Sequence, residues 1–400
     1  MNRLLDEIEK GTKEALVKKR IILCSIHNGE STIAELSKEI DMSVPTTTKI
    51  LNEMCSSGTM YECGKLETNG GRHPNLYGLN PDAAYFVGVD IKQFAVNIGI
   101  INFKGEMIDL AMGVPYEMKN SPEALSKLMD IIHQFIEKQV IDKTKILNIA
   151  VNISGRVNSE SGYSYSIFYF EERPLADILR EKLGYRVTID NDTRAMTYGE
   201  YIAGCVSKEK DIIFVNISWG LGIGIIIDGK IYKGKSGFSG EFGHVKSYDN
   251  EIICHCGKKG CLETEVSGSA MYRRLMEMLK GGATSSLSKK WAKNELITMD
   301  DIVQAVNKED VLCIDLVEDI GRQLGEHLAG IINIFNPEMV IIGGTLSLTG
   351  DYIMQPIIAA IRKYSLNLVN KDSVIVPAKL KEKTGIVGAC MISRLRIFEY

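Results

Sequence analysis

A cluster of one histidine and three cysteines constrains this chain more than any other feature of its sequence. The cluster lies in residues 234–267, which read GKSGFSGEFGHVKSYDNEIICHCGKKGCLETEVS. Its members are His244, followed by Cys254, Cys256 and Cys261 in the pattern Cys-x-Cys-Gly-x-x-Gly-Cys. One imidazole and three thiolates form one of the closed tetrahedral ligand sets that hold structural zinc. The spacing therefore predicts one structural zinc ion per chain, bound by these four side chains.

Two alternatives to this ligand set remain open. The cysteines could be buried thiols that bind nothing, as isolated cysteines often are. Three of the nine cysteines crowd beside glycine and histidine here, which makes this the weaker interpretation. His255 could also replace His244 as the nitrogen ligand. We favour His244, because a ligand placed directly between Cys254 and Cys256 would strain the chelate.

Length and composition indicate a multidomain protein of the cytoplasm. With 400 residues, 45% hydrophobic content and a formal net charge of −4, the chain can bury a large core and is expected to contain more than one domain. Its charged start, MNRLLDEIEKGTKEALVKK, has no apolar signal core, and no apolar run approaches the length that spans a bilayer. Nine cysteines, an odd number, suit a reducing compartment. We therefore expect a cytoplasmic location, no membrane partner and no structural disulfides.

The first eighty residues have the pattern of a winged helix-turn-helix domain. Apolar residues at helical spacing predict three helices, over residues 15–27, 33–40 and 44–57. Ser43 can cap the third helix. Alternating residues over 60–63 and 76–79 then predict a two-stranded wing.

Polar side chains on the third helix and at the tip of the wing predict contacts with DNA. Ile50, Leu51 and Met54 are expected to face the core, which leaves short hydroxyl and amide side chains to reach base edges or phosphates in the major groove. The candidate DNA-binding residues are Ser43, Thr46, Thr47, Thr48, Lys49, Asn52, Arg72 and His73. Residues 1–80 hold ten Lys and Arg against eleven Asp and Glu, so the usual basic footprint is missing, and a helix-turn-helix can also serve protein contacts. We favour DNA binding, because the order of the elements is complete.

The rest of the chain alternates strands with helices in two similar series. The first series has strand-like runs over 85–91, 94–103, 107–116 and 146–154, with a helix over 121–138. The second has strand-like runs over 212–218 and 339–344, a hairpin turn at Asp228-Gly229, and helices over 268–280 and 312–335. This order predicts an α/β fold of two related lobes, with a ligand site at the carboxyl ends of the strands.

The run Gly240-Glu241-Phe242-Gly243-His244, followed by the cysteine pattern and Leu262-Glu263, resembles the signature of the ROK family, which contains sugar kinases and sugar-responsive repressors. The resemblance implies a two-lobed, actin-like (ribonuclease H-like) sugar kinase fold behind the winged helix-turn-helix. Residues 70–76 and 79–81 are similar to the wing and linker of ROK repressors, whereas kinases of the family begin at the next strand. The implied domains are residues 1–80, a first lobe of residues 82–190 with 383–400, and a second lobe of residues 191–382 with the zinc site.

The same resemblance implies a sugar site. In ROK proteins an Asn-Asp pair after a strand contacts sugar hydroxyls, and its aspartate is the base in the kinases. The implied sugar-binding residues are Gly155, Asn191, Asp192, Glu241, His244 and Glu263. A carboxylate and an amide suit vicinal hydroxyls on chemical grounds as well, although Asp192 alone could simply cap a helix. The segment 161–173, SGYSYSIFYFEER, departs from the family's Pro-Asn-Leu pattern and offers aromatic rings that could stack on a sugar, pack at the surface or meet another subunit.

Two of three loops that handle phosphate in the family's kinases are altered. The Asp-x-Gly-Gly-Thr turn is replaced by Asp90-Ile91-Lys92-Gln93-Phe94, and the Gly-Thr-Gly-x-Gly loop by Ser218-Trp219-Gly220-Leu221-Gly222. Gly343-Gly344-Thr345 keeps the third loop, which is also an ordinary strand-to-helix turn. Loss of the small residues that let backbone amides meet phosphate argues against use of ATP and magnesium.

These observations favour a sugar-responsive transcriptional repressor over an enzyme. Its expected partners are operator DNA, a monosaccharide or sugar phosphate as effector, and further copies of the chain in a homodimer or homotetramer. The alternative is an ATP-dependent sugar kinase with an added DNA-binding domain, in which Asp192 would be the catalytic base. A scaffold without a ligand would leave the zinc and carboxylate cluster unexplained.

Overall fold

The computed structural model describes residues 1–67 and 73–399, and for residues 2, 3 and 399 it describes the backbone alone. The helices in these ranges are α1 (Asn2–Glu9), α2 (Lys13–Asn28), α3 (Ile33–Glu39), α4 (Val44–Ser56), α5 (Pro122–Glu137), α6 (Leu175–Leu183), α7 (Asp192–Ala203), α8 (Gly268–Lys280), α9 (Ser288–Ala292), α10 (Met299–Asn307), α11 (Val311–Phe335), α12 (Asp351–Tyr364), α13 (Asn367–Asp372) and α14 (Thr384–Glu399). The strands are β1 (Ser31–Thr32), β2 (Met60–Lys65), β3 (Asn75–Leu79), β4 (Tyr85–Ile91), β5 (Ala95–Asn102), β6 (Met107–Pro115), β7 (Ile146–Ile153), β8 (Val157–Asn158), β9 (Tyr163–Ser164), β10 (Val187–Asn191), β11 (Ile212–Ile217), β12 (Leu221–Ile227), β13 (Lys230–Ile231), β14 (Met339–Gly343) and β15 (Val374–Pro377).

The chain divides into two compact units. The first consists of Met1–Asp190 with Ile386–Tyr400, and the second of Asn191–Gly385. The chain therefore passes between the units twice, once just before α7 and once inside α14. No helix in the described part of the chain is long and apolar enough to cross a membrane.

The N-terminal part of the first unit is a helix-turn-helix with a wing. Thr32 caps α3 in a capping box with Glu35, and Ser43 caps α4, which has Pro45 in its first turn. Strands β2 and β3 form the wing with Met60 opposite Leu79. Two features were not foreseen: α1 precedes the predicted helices, and β1 adds a third strand to the wing by pairing with β3.

The remainder of the first unit is built on a five-stranded sheet of order β10-β7-β4-β5-β6. Strands β4 and β7 run parallel, while β5 and β6 extend the sheet in antiparallel fashion. β4 is buried along its whole length, as expected of a strand that is covered on both faces. The carboxyl ends of the parallel strands β4 and β7 bring Lys92 and Ser154 to one edge of the sheet by their position in sequence.

The second unit repeats this design with a sheet of order β13-β12-β11-β14-β15. Strands β11, β14 and β15 are parallel neighbours, and β12 pairs antiparallel with β11. Asp228 and Gly229 link β12 to β13 with φ values of 50° and 74°, which suits the two-residue hairpin turn predicted from the sequence.

The winged helix-turn-helix shares an apolar core with the sheet and with α14. Leu36, Leu51 and Met54 belong to the same buried cluster as Phe86 of β4 and Phe398 of α14. The cluster also contains Phe103, whose ring centroid lies 6.1 Å from that of Phe86 and 5.7 Å from that of Phe398. Burial of one such side chain contributes about 1.5–3 kcal/mol to stability. The shared cluster therefore packs the winged domain onto the rest of the first unit.

Candidate functional site

The predicted zinc ligands come together in the second unit. Ligand atoms of His244, Cys254, Cys256 and Cys261 all lie within 4.8 Å of one another. The Nδ1 atom of His244 is 3.6 Å from Sγ of Cys254, and the Sγ atoms of Cys256 and Cys261 are 3.6 Å apart. Three sulfurs and one imidazole nitrogen at these separations can converge on a single ion.

The loop that carries the cysteines is held by its own backbone. The amide of Cys254 donates to the carbonyl of Lys258 over 2.8 Å, and the chain returns through Gly260 at a φ of 74°. A Cβ atom at Gly260 would lie 2.0 Å from the carbonyl oxygen of Tyr248, so no other residue fits at this position. The second glycine of the cysteine pattern is thus required by close packing.

Burial makes the Cys254 thiol a poor thiolate in the absence of a cation. The side chain is almost fully enclosed, and this burial raises the pKa of Cys254 to about 12. A metal cation beside the sulfur would reverse that preference, because coordination stabilises the thiolate. Its donor set and its enclosure both fit a structural zinc ion.

His255 lies near the cluster but is engaged with Glu263. Its Nδ1 atom is 3.0 Å from Oε1 of Glu263 and 3.9 Å from Sγ of Cys254, and its side chain is 68% exposed. His244, His255 and Glu263 form a second group in the described chain whose ligand atoms lie within 4.8 Å of one another. The three cysteines group with His244, as expected from the chelate argument, and His255 contacts the carboxylate instead.

Glu263 is a buried carboxylate beside the histidine and cysteine cluster. Its Oε2 atom accepts a hydrogen bond of 2.8 Å from the amide of Leu221. Burial acts to raise the pKa of Glu263, but the hydrogen bonds from His255 and Leu221 outweigh it and hold the pKa below its ordinary value. The contact between Glu263 and His255 was not predicted, since the family pattern leaves the residue between the first two cysteines open.

Two glycines place Glu241 and His244 directly against strand β12. Cβ atoms at Gly240 and Gly243 would lie 1.9 Å and 2.3 Å from backbone carbonyl oxygens of Ile223 and Leu221, respectively. This close approach explains the glycine spacing of the run Gly-Glu-Phe-Gly-His. Oε2 of Glu241 lies 3.5 Å from Nε2 of His244, so the two ring nitrogens of His244 face a carboxylate and a thiol.

Asn191 and Asp192 stand at the start of α7. Asn191, not Asp192, caps the helix: its Oδ1 atom accepts from the amide of Arg194 over 3.1 Å. Oδ1 of Asp192 accepts from the amide of Thr193 over 2.8 Å, and Asp192 is only partly buried. The possibility that Asp192 serves merely as a helix cap is therefore excluded.

Gly155 lies in the first unit, at the turn after β7, with a φ of 88°. A Cβ atom at Gly155 would lie 2.5 Å from the hydroxyl oxygen of Ser166, which accepts a hydrogen bond from the amide of Arg156. The aromatic segment 161–173 thus packs against this turn. Its Tyr163 and Tyr165 rings are stacked with centroids 6.1 Å apart.

The first altered phosphate loop contains an internal ion pair. Nζ of Lys92 lies 3.0 Å from Oδ2 of Asp90, whose side chain is fully buried, and the side-chain amide of Asn97 donates to the same oxygen over 3.4 Å. Phe94, where the family kinases have threonine, is 45% exposed. The lysine was noted in the sequence only as a lost glycine, and its pairing with Asp90 was missed.

The second altered loop, in the second unit, is occupied by an indole. The Trp219 side chain is 40% exposed, and its ring lies 5.7 Å from that of Tyr272 on α8. The carbonyl of Trp219 accepts from the amide of Ser269, so the loop is held against the start of α8. The third loop keeps Gly344 at a φ of 88°, where the amide of Thr345 donates to the hydroxyl of Ser218.

Helix α4 presents part of the predicted DNA-binding set. Ser43, Thr46, Lys49 and Asn52 are exposed along one side of the helix. Thr48 is half-buried and its hydroxyl donates to the carbonyl of Val44.

The prediction is wrong for Thr47, which is fully buried. Its hydroxyl donates to the carbonyl of Ser43 over 3.1 Å. Thr47 precedes Ile50, Leu51 and Met54 by three, four and seven positions, so helical geometry places it on the core face. At the wing, His73 is exposed with its Nδ1 atom 3.2 Å from the carbonyl oxygen of Leu66, and Arg72 lies outside the described residues.

Comparison with known proteins identifies the family to which this chain is similar. The sequence model of the ROK family matches residues 87–395. The chain is 30% identical to the xylose repressor of Caldicellulosiruptor bescii over 368 residues, which cover 91% of this chain and 92% of that protein.

Two solved structures show how far the likeness extends. The crystal structure of a ROK family transcriptional regulator, a homolog of the E. coli MLC protein, superposes with a TM-score of 0.78 at 26% identity and covers 95% of each chain. The ROK family glucokinase from Streptomyces griseus, in complex with glucose and AMPPNP, superposes with a TM-score of 0.67 at 25% identity. It covers 78% of this chain and is itself covered completely.

Fold and site together define a winged helix-turn-helix joined to an actin-like sugar kinase body. The chain belongs to the ROK family. Its likeness to the regulator covers 95% of the chain and so includes the N-terminal domain. The relative from Caldicellulosiruptor bescii is named as a repressor, which places the chain in the repressor branch. The fold class and the family expected from the sequence are both confirmed.

Proposed function

We propose that this protein is a sugar-responsive transcriptional repressor of genes for carbohydrate use. The observation that carries the proposal is the winged helix-turn-helix in front of a ROK body. A regulator structure matches 95% of the chain, whereas the glucokinase structure matches 78%. Residues 1–80 would bind DNA, and the ROK body that follows would bind the effector.

The effector would be a monosaccharide or a sugar phosphate. Asn191, Asp192, Glu241, His244 and Glu263 supply carboxylate, amide and imidazole groups in the second unit, and such groups suit the alternating donors and acceptors of sugar hydroxyls. D-Xylose is the first sugar to test, because a relative is named as a xylose repressor.

Zinc would be the resident metal, one ion per chain, held by His244, Cys254, Cys256 and Cys261. Its role is structural, since four protein ligands close a tetrahedral site. The bound ion would hold the loop that carries Glu263 next to the segment that carries Glu241. Nδ1 of His244 faces Cys254, so this nitrogen would bind the metal and Nε2 would remain on the side of Glu241.

Operator DNA would bind at α4. Ser43, Thr46, Lys49 and Asn52 lie on the exposed side of this helix, and recognition helices read base edges with short polar side chains of this kind. We propose that the chain works as a homodimer or homotetramer, because paired helix-turn-helix domains read half-sites about 34–36 Å apart. Sugar binding that favours a different separation of the two domains would weaken simultaneous contact with both half-sites.

A sugar kinase is the second candidate, and Asp192 is the observation that favours it. This carboxylate stands at the start of α7 and is not used as the helix cap. Two observations argue against catalysis. The ammonium group of Lys92 forms an ion pair with Asp90, and an indole replaces the small hydroxyl residue of the second loop. A phosphate group would meet bulky or already paired side chains at both loops.

Selection of DNA followed by a sugar panel tests the proposed function. Random double-stranded DNA is selected on the full chain, and the enriched site is expected to hold two related half-sites. D-Xylose, D-glucose, N-acetyl-D-glucosamine and their phosphates are then added one at a time. One of them should release the selected DNA, and failure to enrich any sequence would contradict the proposal.

A further inference from the structure

We propose that the C-terminal helix α14 couples the turn Asn191–Asp192 to the winged helix-turn-helix, and that Arg396 is the positioning residue for this coupling. The inference rests on the proposed function, because it requires a sugar at this turn and DNA at α4. It assigns the regulation of the proposed effector site to contacts that the family signature does not contain.

Arg396 ties α14 to the end of strand β10. Its guanidinium lies 2.5 Å from Oδ2 of Asp190, and the two side chains are only 3% and 4% exposed. The same guanidinium donates to the carbonyls of Ile189 and Ser159 over 3.3 Å and 3.0 Å. Arg396 therefore contacts the two residues that immediately precede Asn191, and a shift of that turn would act directly on α14.

Arg394 ties the opposite side of α14 to the turn between β5 and β6. Residues two apart on an α-helix point about 200° away from each other, so Arg394 and Arg396 reach in opposite directions. The guanidinium of Arg394 donates to the carbonyl of Lys104 over 2.5 Å and to that of Phe103 over 3.3 Å. One helix thus holds the end of β10 with one arginine and the β5–β6 turn with another.

The β5–β6 turn in turn contacts the winged domain. Nζ of Lys104 lies 2.9 Å from Oε1 of Glu30, which stands between α2 and β1. The Phe103 ring packs between Phe86 and Phe398, in the core that also buries Leu36 and Leu51 of the helix-turn-helix. Polar and apolar contacts therefore join α14 to the winged domain within the first unit.

The start of α14 is held separately, within the second unit, by the helix that begins at Asp192. Glu200 on α7 is fully buried and accepts from the amides of Lys379 and Leu380 over 3.1 Å and 2.7 Å. Its Oε1 atom also lies 3.2 Å from the hydroxyl of Thr384, the first residue of α14. Asp190 and Glu200, which precede and follow Asn191–Asp192 in the sequence, thus hold the two ends of α14.

Buried charged pairs suit a role in coupling more than a role in stability. Replacing such a pair by neutral groups is often harmless, whereas removing one partner leaves an uncompensated charge. A network is shown to couple two sites only when its loss changes the effect of one ligand on the other. The change to make is therefore the joint neutralisation of both partners, Asp190→Asn with Arg396→Gln.

The experiment compares operator release in this double variant with that in the wild type. Operator Kd is measured on the selected DNA without sugar and with a saturating concentration of the panel sugar that releases the wild type. Coupled sites commonly change affinity about 5- to 150-fold. We expect the double variant to bind DNA without sugar, and to bind the sugar, within about threefold of the wild type, while the sugar-induced change in operator Kd falls by about fivefold or more. The single variant Arg396→Lys, which keeps Asp190 and the positive charge, should keep part of the sugar-induced change in operator Kd that the double variant loses.

A surface variant tests the coupling role of α14 if the double variant does not fold. Lys104→Ala removes the pair with Glu30, whose side chains are about one-third exposed, and so leaves no buried charge. Its matched control is Lys143→Ala, which removes an exposed pair with Glu137 elsewhere in the first unit. The response should weaken in Lys104→Ala and persist in Lys143→Ala.

The outcomes separate the two proposals. A full sugar response in the folded double variant, or in Lys104→Ala where the double variant is unfolded, overturns the coupling role of α14 and leaves the proposed function intact. A wild type whose DNA affinity is the same with every sugar overturns the proposed function and this inference with it. A response lost in the double variant, with sugar and DNA binding retained, supports it.

Discussion

The ammonium nitrogen of Lys92 lies 3.0 Å from the Oδ2 atom of the buried Asp90, at the end of strand β4. Kinases of the family resemble one another in a glycine at this position, whereas this chain places its own cation beside one oxygen of the Asp90 carboxylate. Phe94, two positions further on, is 45% exposed, so the first altered loop presents a paired cation and a bulky ring where the family kinases have small residues.

The first prediction is that the protein has no sugar kinase activity. With MgATP and D-glucose, D-xylose or N-acetyl-D-glucosamine, a coupled assay should give the same background rate for the wild type and for Asp192→Asn. Calorimetry should detect no saturable binding of MgATP, because the loops cannot offer backbone amides to its phosphates. Turnover in the wild type that Asp192→Asn abolishes would establish the kinase instead.

The second prediction is that each purified chain carries one zinc ion. Cys256→Ser should lose the ion, because a hydroxyl is a poor replacement for a thiolate ligand, and its melting temperature should fall. Cys24→Ser, which changes a cysteine of α2 outside the cluster, is the matched control and should keep the metal. Metal analysis of the two variants side by side measures this, and full retention in Cys256→Ser would mean that the ligand set is wrong.

The third prediction separates the two histidines beside the cluster. His244→Ala should lose zinc, whereas His255→Ala should keep it, because Nδ1 of His255 contacts Glu263 at 3.0 Å and lies 3.9 Å from the nearest thiol. The metal content of the two variants is measured under identical purification. The reverse result would make His255 the nitrogen ligand.

The fourth prediction concerns helix α4. Asn52→Ala should weaken binding to the selected operator by about 1–3 kcal/mol and relax its sequence preference, as expected for loss of a base contact. Lys49→Ala should weaken binding to all sequences and reduce the salt dependence by about one unit of slope. Lys308→Ala, an exposed lysine of the second unit, is the control. If neither α4 variant changes DNA affinity, another surface binds the DNA.

The fifth prediction concerns the sugar. The sugar that binds should raise the melting temperature of the wild type, since a ligand at 100 times its Kd stabilises the folded state by about 2.7 kcal/mol. Glu263→Gln should reduce this shift, because an amide replaces a charged acceptor that gives stronger hydrogen bonds. Asp372→Asn, an exposed carboxylate on α13, is the control. An unchanged shift in Glu263→Gln would remove Glu263 from the sugar site.

The local parts of the fold could be predicted from the sequence because local chemistry determines them. Ser43 and Pro45 mark the start of α4, and the Asp228-Gly229 pair marks the hairpin between β12 and β13, as the structure has them. The grouping of His244, Cys254, Cys256 and Cys261 was equally accessible, since these four residues lie close together in the sequence. Even here the prediction of DNA contact was wrong for Thr47, because this polar residue lies on the buried face of the helix.

The long-range contacts could not be predicted in this way. Arg396 and Asp190 are separated by 206 positions, and nothing in the neighbourhood of either residue identifies its partner. The pairing of Lys92 with Asp90 is close in sequence, yet it depends on where β4 ends. Such contacts are set by tertiary packing, and they are the ones on which the proposed regulation depends.

Fluorescence anisotropy of labelled operator DNA, titrated with the full chain at one fixed salt concentration with and without each sugar of the panel, tests the central claim most directly. The account predicts tight binding without sugar and a Kd that rises about fivefold or more with one monosaccharide or its phosphate, in the range typical of coupled sites. An operator Kd that is unchanged by every sugar, although one of them binds the protein, would contradict it.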